Sequence, residues 1–127
     1  MEKRKARQSV EQIAEKDGRY HPNAVKFLYE GLAYTVREQR EEQDPDQPHH
    51  VTGQQLCDGL AGLATERWGR LAKTVLNHWG IKTTRDFGEI VYLMIENNLM
   101  SKKPEDSIED FMGVYDFEDR FRKQFRF

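Results

Sequence analysis

The sequence predicts a mainly α fold, a single compact domain of five or six helices closed by an irregular C-terminal strap. Three observations lead there. Apolar residues recur at i, i+3, i+4 and i+7 along several segments. Helix-start signatures stand ahead of them at Ser9, Thr52 and Thr83, and glycines fall where a left-handed residue closes a helix, at Gly18 and Gly80. A length of 127 residues fits one domain.

Residues 1–8 are basic, with Lys3, Arg4, Lys5 and Arg7 and no apolar run, and read as a disordered N-terminus. Ser9 and Gln12 form a capping box, Val10, Ile13 and Ala14 share a helical face, and Gly18 supplies the stop; a short helix over 9–17 follows. His21-Pro22 starts the next helix, because proline at its first position loses no hydrogen bond. Ala24, Phe27, Leu28, Gly31, Leu32 and Thr35 give it an inward stripe that should last to about Arg40. The segment 38–50 carries two prolines and, up to Pro48, no apolar residue, and should be a mobile acidic surface loop.

Thr52 with Gln55 makes a second capping box, and Val51 with Leu56 sits where a hydrophobic staple belongs, so a helix is expected over 53–68. Gly69 should break or kink it. Beyond that break a stripe of Leu71, Ala72, Val75, Leu76 and Trp79 leads to Gly80, with Ile81 positioned for a Schellman contact with Leu76. Thr83 and Asp86 open a helix whose stripe, Phe87, Ile90, Val91, Met94, Ile95 and Leu99, marks the centre of the core. The strap from Ser101 to Asp116 should be anchored by Ile108, Phe111, Val114 and Tyr115. A short β-hairpin and a winged-helix-like arrangement both remain open there. A last helix is expected from Phe117 toward Gln124, with Phe117 and Phe121 on one face. The domain proper is therefore 9–121, followed by a basic and aromatic tail over 122–127.

Apolar residues make up 37% and charged residues 33% of the chain, so the core must be thin, and seven Phe, five Tyr and two Trp supply most of its burial. Mean hydropathy is −0.89. No apolar run reaches the roughly 18–20 residues that span a bilayer, and the charged N-terminus lacks a signal peptide's apolar region. No membrane insertion is expected. A lone Cys57 makes no internal disulfide, which suits the cytoplasm.

The phrases HVTGQQL (50–56), VLNHWGIKTTRDFGEIV (75–91) and DSIEDFMGVYDFEDRF (106–121), together with the segment 20–35, resemble the signature segments of the small bacterial Minf-type family. That family is a conserved domain of unknown function that carries a verrucomicrobial locus name. The resemblance implies a bacterial domain and brings no catalytic or ligand residues with it.

Candidate chemistry is sparse. Asp86-Phe87-Gly88 has the form of a kinase metal-binding tripeptide, but no glycine-rich loop, strand lysine or catalytic loop accompanies it, and it reads as a first helical turn. His21, His49, His50 and His78 follow no metal-ligand spacing, and no cofactor is expected. Cys57 follows Leu56 with Ala61 and Ala64 on its face, a buried inert thiol; a nucleophile would need a base such as His78 in reach. The strap from Pro104 to Asp119 holds seven acids in sixteen positions, without the glycine and alternating oxygen donors of a calcium loop. These acids are expected to be solvated and to pair with Arg120, Arg122, Lys123 and Arg126.

Function is left among three readings. The favoured one is a non-enzymatic binding module that meets a protein partner through aromatic surface and the tail residues Phe121, Arg122, Lys123, Phe125, Arg126 and Phe127; assembly with a second copy falls within it. The second is a nucleic-acid-binding regulator of helix-turn-helix or winged-helix type that uses Arg70, Lys73, Thr74 and Asn77 on one polar helix face. Against it stand the acidic strap and a net charge of −2. The third is an enzyme with a site assembled from scattered residues such as Tyr20, His21 and Tyr115.

Overall fold

The computed structural model describes residues 1–3, 9–42 and 50–122. Helix starts are fixed locally. Ser9 Oγ accepts from the Gln12 amide at 3.1 Å while Gln12 Oε1 accepts from the Ser9 amide at 3.0 Å, and α1 runs Val10–Asp17 to a left-handed Gly18. Pro22 opens α2, Pro22–Glu42, which runs past the expected stop at Arg40 into the segment read as loop. Residues 43–49 of that loop lie outside the described residues, while His50 is half-buried and Val51 fully buried. Thr52 and Gln55 exchange hydrogen bonds of 3.2 and 2.9 Å at the start of α3, Gly53–Trp68.

Gly69 ends α3, and a 3-10 turn, Gly69–Leu71, leads into α4, Ala72–His78. Because a 3-10 turn advances about three residues per turn rather than 3.6, Leu71 rotates off the apolar stripe expected for it. It is 63% exposed, while Ala72 and Leu76 stay buried. The Schellman closure forms as expected: the Gly80 amide donates to Asn77 O at 3.0 Å, the Ile81 amide to Leu76 O at 2.9 Å, and Ile81 is buried. α5, Thr84–Glu96, ends on a second closure of the same kind, with Asn98 at φ 61° and the Leu99 amide on Met94 O at 2.8 Å.

α2 and α3 pack antiparallel, as the Glu30–Arg67 ion pair at one end and the Thr35–Gly59 contact toward the other require. Their axes come close where Gly59 faces Thr35. α5 lies beneath the 3-10 turn Ile108–Phe111, with Gly88 seating the Phe111 ring. Phe27, Phe87, Phe111 and Phe121 are the largest fully buried side chains among the described residues, but Leu, Ile, Val, Ala and Met make up most of the core, and both Trp and four of the five Tyr are only half-buried.

Three further expectations change. The start of the N-terminus is ordered: Glu2–Lys3 (β1) pairs antiparallel with Met100–Ser101 (β2), and Met1 is buried because its side chain joins the core. Residues 4–8 lie outside the described residues. Among the described residues the strap therefore forms no hairpin and no wing, since β2 takes its hydrogen bonds from the opposite end of the chain. The expected last helix is a wider π-helical turn, Glu118–Arg122, which keeps Phe117 and Phe121 in the core, edge-on with centroids 5.1 Å apart.

Candidate functional site

The outward side of α2 lines a surface groove. Glu30, Ala33, Tyr34 and Arg37 follow one another at i, i+3, i+4 and i+7 and so share a helical face. Leu63 and Arg67 of α3 wall one side, Met1 and Glu2 the other, around a groove of about 920 Å³. Between the exposed charges of Glu30 and Arg37 the lining is apolar: Leu32 and Leu63 are buried, and Ala33, Tyr34 and Val36 are half-buried. At one end Arg67 and Glu30 neutralise each other across the helix pair. Burial, with the Glu38 and Glu66 carboxylates beside it, holds the Tyr34 phenol above its ordinary value, so its hydroxyl stays neutral. Sequence reading missed this groove. The available signal was Ala33 and Val36, apolar residues three apart that lie off the inward stripe of α2.

The residues of the expected nucleic-acid face separate. Arg70, Thr74 and Asn77 are exposed. Lys73 instead lies half-buried, with Nζ 2.9 Å from Glu118 Oε2, so its charge is already matched. A backbone-phosphate contact from Lys73 would have to break that pair.

The tail residues fare unequally. Phe121 is fully buried against Phe117 and Tyr115 and cannot serve as a docking residue without unpacking the core. Arg122 is exposed, 3.6 Å from Glu118. Lys123, Phe125, Arg126 and Phe127 lie outside the described residues. Arg120, expected to pair with the strap acids, reaches Asp58 of α3 at 3.3 Å and covers the Tyr115 ring at 4.9 Å. Several strap acids are engaged locally: Asp106 accepts from the Lys103 amide at 2.9 Å and Asp110 from the Ser107 amide at 3.1 Å.

The described histidines do not converge. His21 is exposed, stacked on Trp79, and its Nδ1 accepts from the Asn23 amide at 3.0 Å. His78 is exposed, and His49 lies outside the described residues. His50 Nε2 meets Asp106 Oδ1 at 3.0 Å, and its Nδ1 lies 3.3 Å from the Met1 amine, which also donates to Val51 O. Burial lowers the pKa of that amine, against an opposing pull from Asp106. Among the described residues no group of three or more His, Cys, Asp or Glu side chains is placed to hold a metal ion.

Tyr20 and Tyr115 are engaged apart. The Tyr20 hydroxyl donates to Asp86 at 2.6 Å, and Tyr115 donates to the Cys57 carbonyl at 2.6 Å. Cys57 is buried; desolvation, with Asp58 nearby, pushes its thiol up to about 12, so it is protonated at neutral pH and a poor nucleophile. No described helix is long and apolar enough to cross a membrane. Comparisons with family profiles, with characterised proteins and with solved structures find no match to this chain.

Proposed function

We propose that this chain is a non-enzymatic bacterial binding module of the cytoplasm, and that it seats an amphipathic helix of a protein partner in the groove over α2. The groove itself carries the reading. Its middle is apolar, and Glu30 and Arg67 at one end neutralise each other, so a partner can cover that pair without stranding either charge, while Glu2 and Arg37 offer charges for it to meet. A helix that presents apolar side chains at i, i+3, i+4 and i+7 offers one apolar stripe to Ala33, Tyr34 and Val36 and polar flanks to the charges of Glu2 and Arg37. At about 920 Å³ the space takes several side chains. Membership in the Minf-type family, which rests on the three quoted phrases and the segment 20–35, belongs to the same proposal.

The test is affinity capture from a bacterial lysate, with and without nuclease, using the wild-type chain and Ala33→Arg. That variant places a long cation on the groove floor at a half-buried position. Circular dichroism checks that it still folds. Specific proteins that survive nuclease, and that Ala33→Arg loses, are the expected result. Equal capture by the variant overturns the groove as the docking site. Capture that disappears with nuclease moves the reading to the exposed face of Arg70, Thr74 and Asn77. A dimer of the wild type that Ala33→Arg abolishes would make the partner a second copy.

A further inference from the structure

The chain has four methionines. Met1, Met94 and Met100 are 4%, 0% and 2% exposed, whereas Met112 is 49% exposed just beyond the turn Ile108–Phe111. Its Sδ stands 3.9 Å from Arg85 Nη1, and its side chain helps line a cavity of about 460 Å³ at the start of α5, beside Tyr115 and Phe117. We propose that Met112 is a reversible oxidation site for peroxides, and that Arg85 captures the sulfoxide formed there.

The chemistry is a two-electron oxygen transfer. The thioether sulfur attacks one oxygen of hydrogen peroxide, the O–O bond breaks as an S–O bond forms, and the other oxygen leaves as water with both protons; a sulfoxide reductase reverses it, two thiols becoming a disulfide as the oxygen leaves as water. A thioether sulfur is a weak acceptor, but a sulfoxide oxygen is a strong one. Bonded to that sulfur, it comes within reach of Nη1 and gains a hydrogen bond assisted by the guanidinium charge. Other charges meet Arg85. Its Nε lies 3.3 Å from Glu89 on the same helix, and its charge acts on Glu109 of the facing turn. Lys82 and Asp116 line the same cavity. Capture therefore draws one guanidinium nitrogen toward the sulfoxide while Nε can stay with Glu89, and the Met112 wall of the cavity turns from apolar to polar.

Hydrogen peroxide applied to the folded full chain, with oxidation followed methionine by methionine by peptide mass spectrometry, tests the site. Met112 should be oxidised at least about tenfold faster than Met94 and Met100, as exposure dictates. Comparable rates at all three would overturn it. The capture is tested separately on singly oxidised protein, by the guanidinium resonance of Arg85 and by melting. Oxidation should shift that resonance, and it should lower the melting midpoint more in Arg85→Leu than in wild type. An unmoved resonance, or equal losses in the two proteins, would overturn the role of Arg85, with Met112→Leu as the unoxidisable control.

Discussion

Asp86 ties two distant parts of the chain with one carboxylate. Its Oδ2 accepts from the Lys82 and Thr83 amides at 2.8 and 3.1 Å, satisfying donors at the start of α5 that have no intrahelical partner. Its Oδ1 takes the hydroxyl of Tyr20 at 2.6 Å, and the buried Tyr20 precedes α2. Asp86→Ala therefore removes a cap and leaves a phenol without its acceptor, a loss of about 2–4 kcal/mol. Tyr20→Phe removes only the last of the three bonds and should cost about 1 kcal/mol. Urea denaturation of the two variants separates these, and equal losses would mean that the amide bonds add nothing. Half of this was legible in sequence. Asp86 in a first turn is a local signal, but a tyrosine 66 residues away leaves no local trace. The same limit hid the contact between His50 and Asp106, read separately as a loop histidine and a solvated acid but 3.0 Å apart in the fold.

Among elements, the crossing of α2 on α3 depends on which glycine of α3 faces its neighbour. A Cβ on Gly59 would lie 1.9 Å from Thr35 Oγ1 and 2.9 Å from Thr35 Cβ, and Thr35 is buried with its hydroxyl donating to Gly31 O at 2.7 Å. A Cβ on Gly62 would come no nearer than 3.4 Å, to the Tyr34 hydroxyl. Gly59→Ala should thus destabilise by about 1–3 kcal/mol through overpacking. Gly62→Ala, one turn on in the same helix, should be neutral or stabilise by up to about 1 kcal/mol from helix propensity alone. Thermal melts of the pair check the opposite signs; a shared sign would place the close approach elsewhere. Helix starts and stops were readable because caps are local chemistry, as Ser9, Thr52 and the Gly80-Ile81 closure illustrate. The exposed Leu71, the β1–β2 pairing and the π-helical turn were not. Each depends on rotation or pairing set by the rest of the fold, and a periodic stripe carries no information about either.

For the molecule as a whole, the polar composition is reconciled with a stable core by burying neutral groups and pairing charged ones at the surface. The candidate groove was not legible in sequence because it needs three separate elements, the face of α2, the edge of α3 and Met1 with Glu2 at β1, to meet around it. The same burial sets how the fold meets alkali. Cys57 is held at about 12 against an ordinary 9.0, and desolvation raises the Tyr20 and Tyr115 phenols above an ordinary 10.0. In each, the folded chain keeps a proton that the unfolded chain releases first. The resulting stabilisation is complete below the unfolded thiol's value, is drawn down as pH rises past 9.0, and is gone for Cys57 once pH passes about 12. Stability from urea melts should therefore be flat near about pH 8 and fall steadily toward about pH 11, with the slope set by the protons retained. Cys57→Ala should make that fall shallower, because one of the retained protons is gone, even if the variant starts from a lower plateau. An unchanged slope would mean that the thiol ionises alike in both states and that the raised phenols, Tyr20, Tyr34, Tyr92 and Tyr115, carry the alkaline loss.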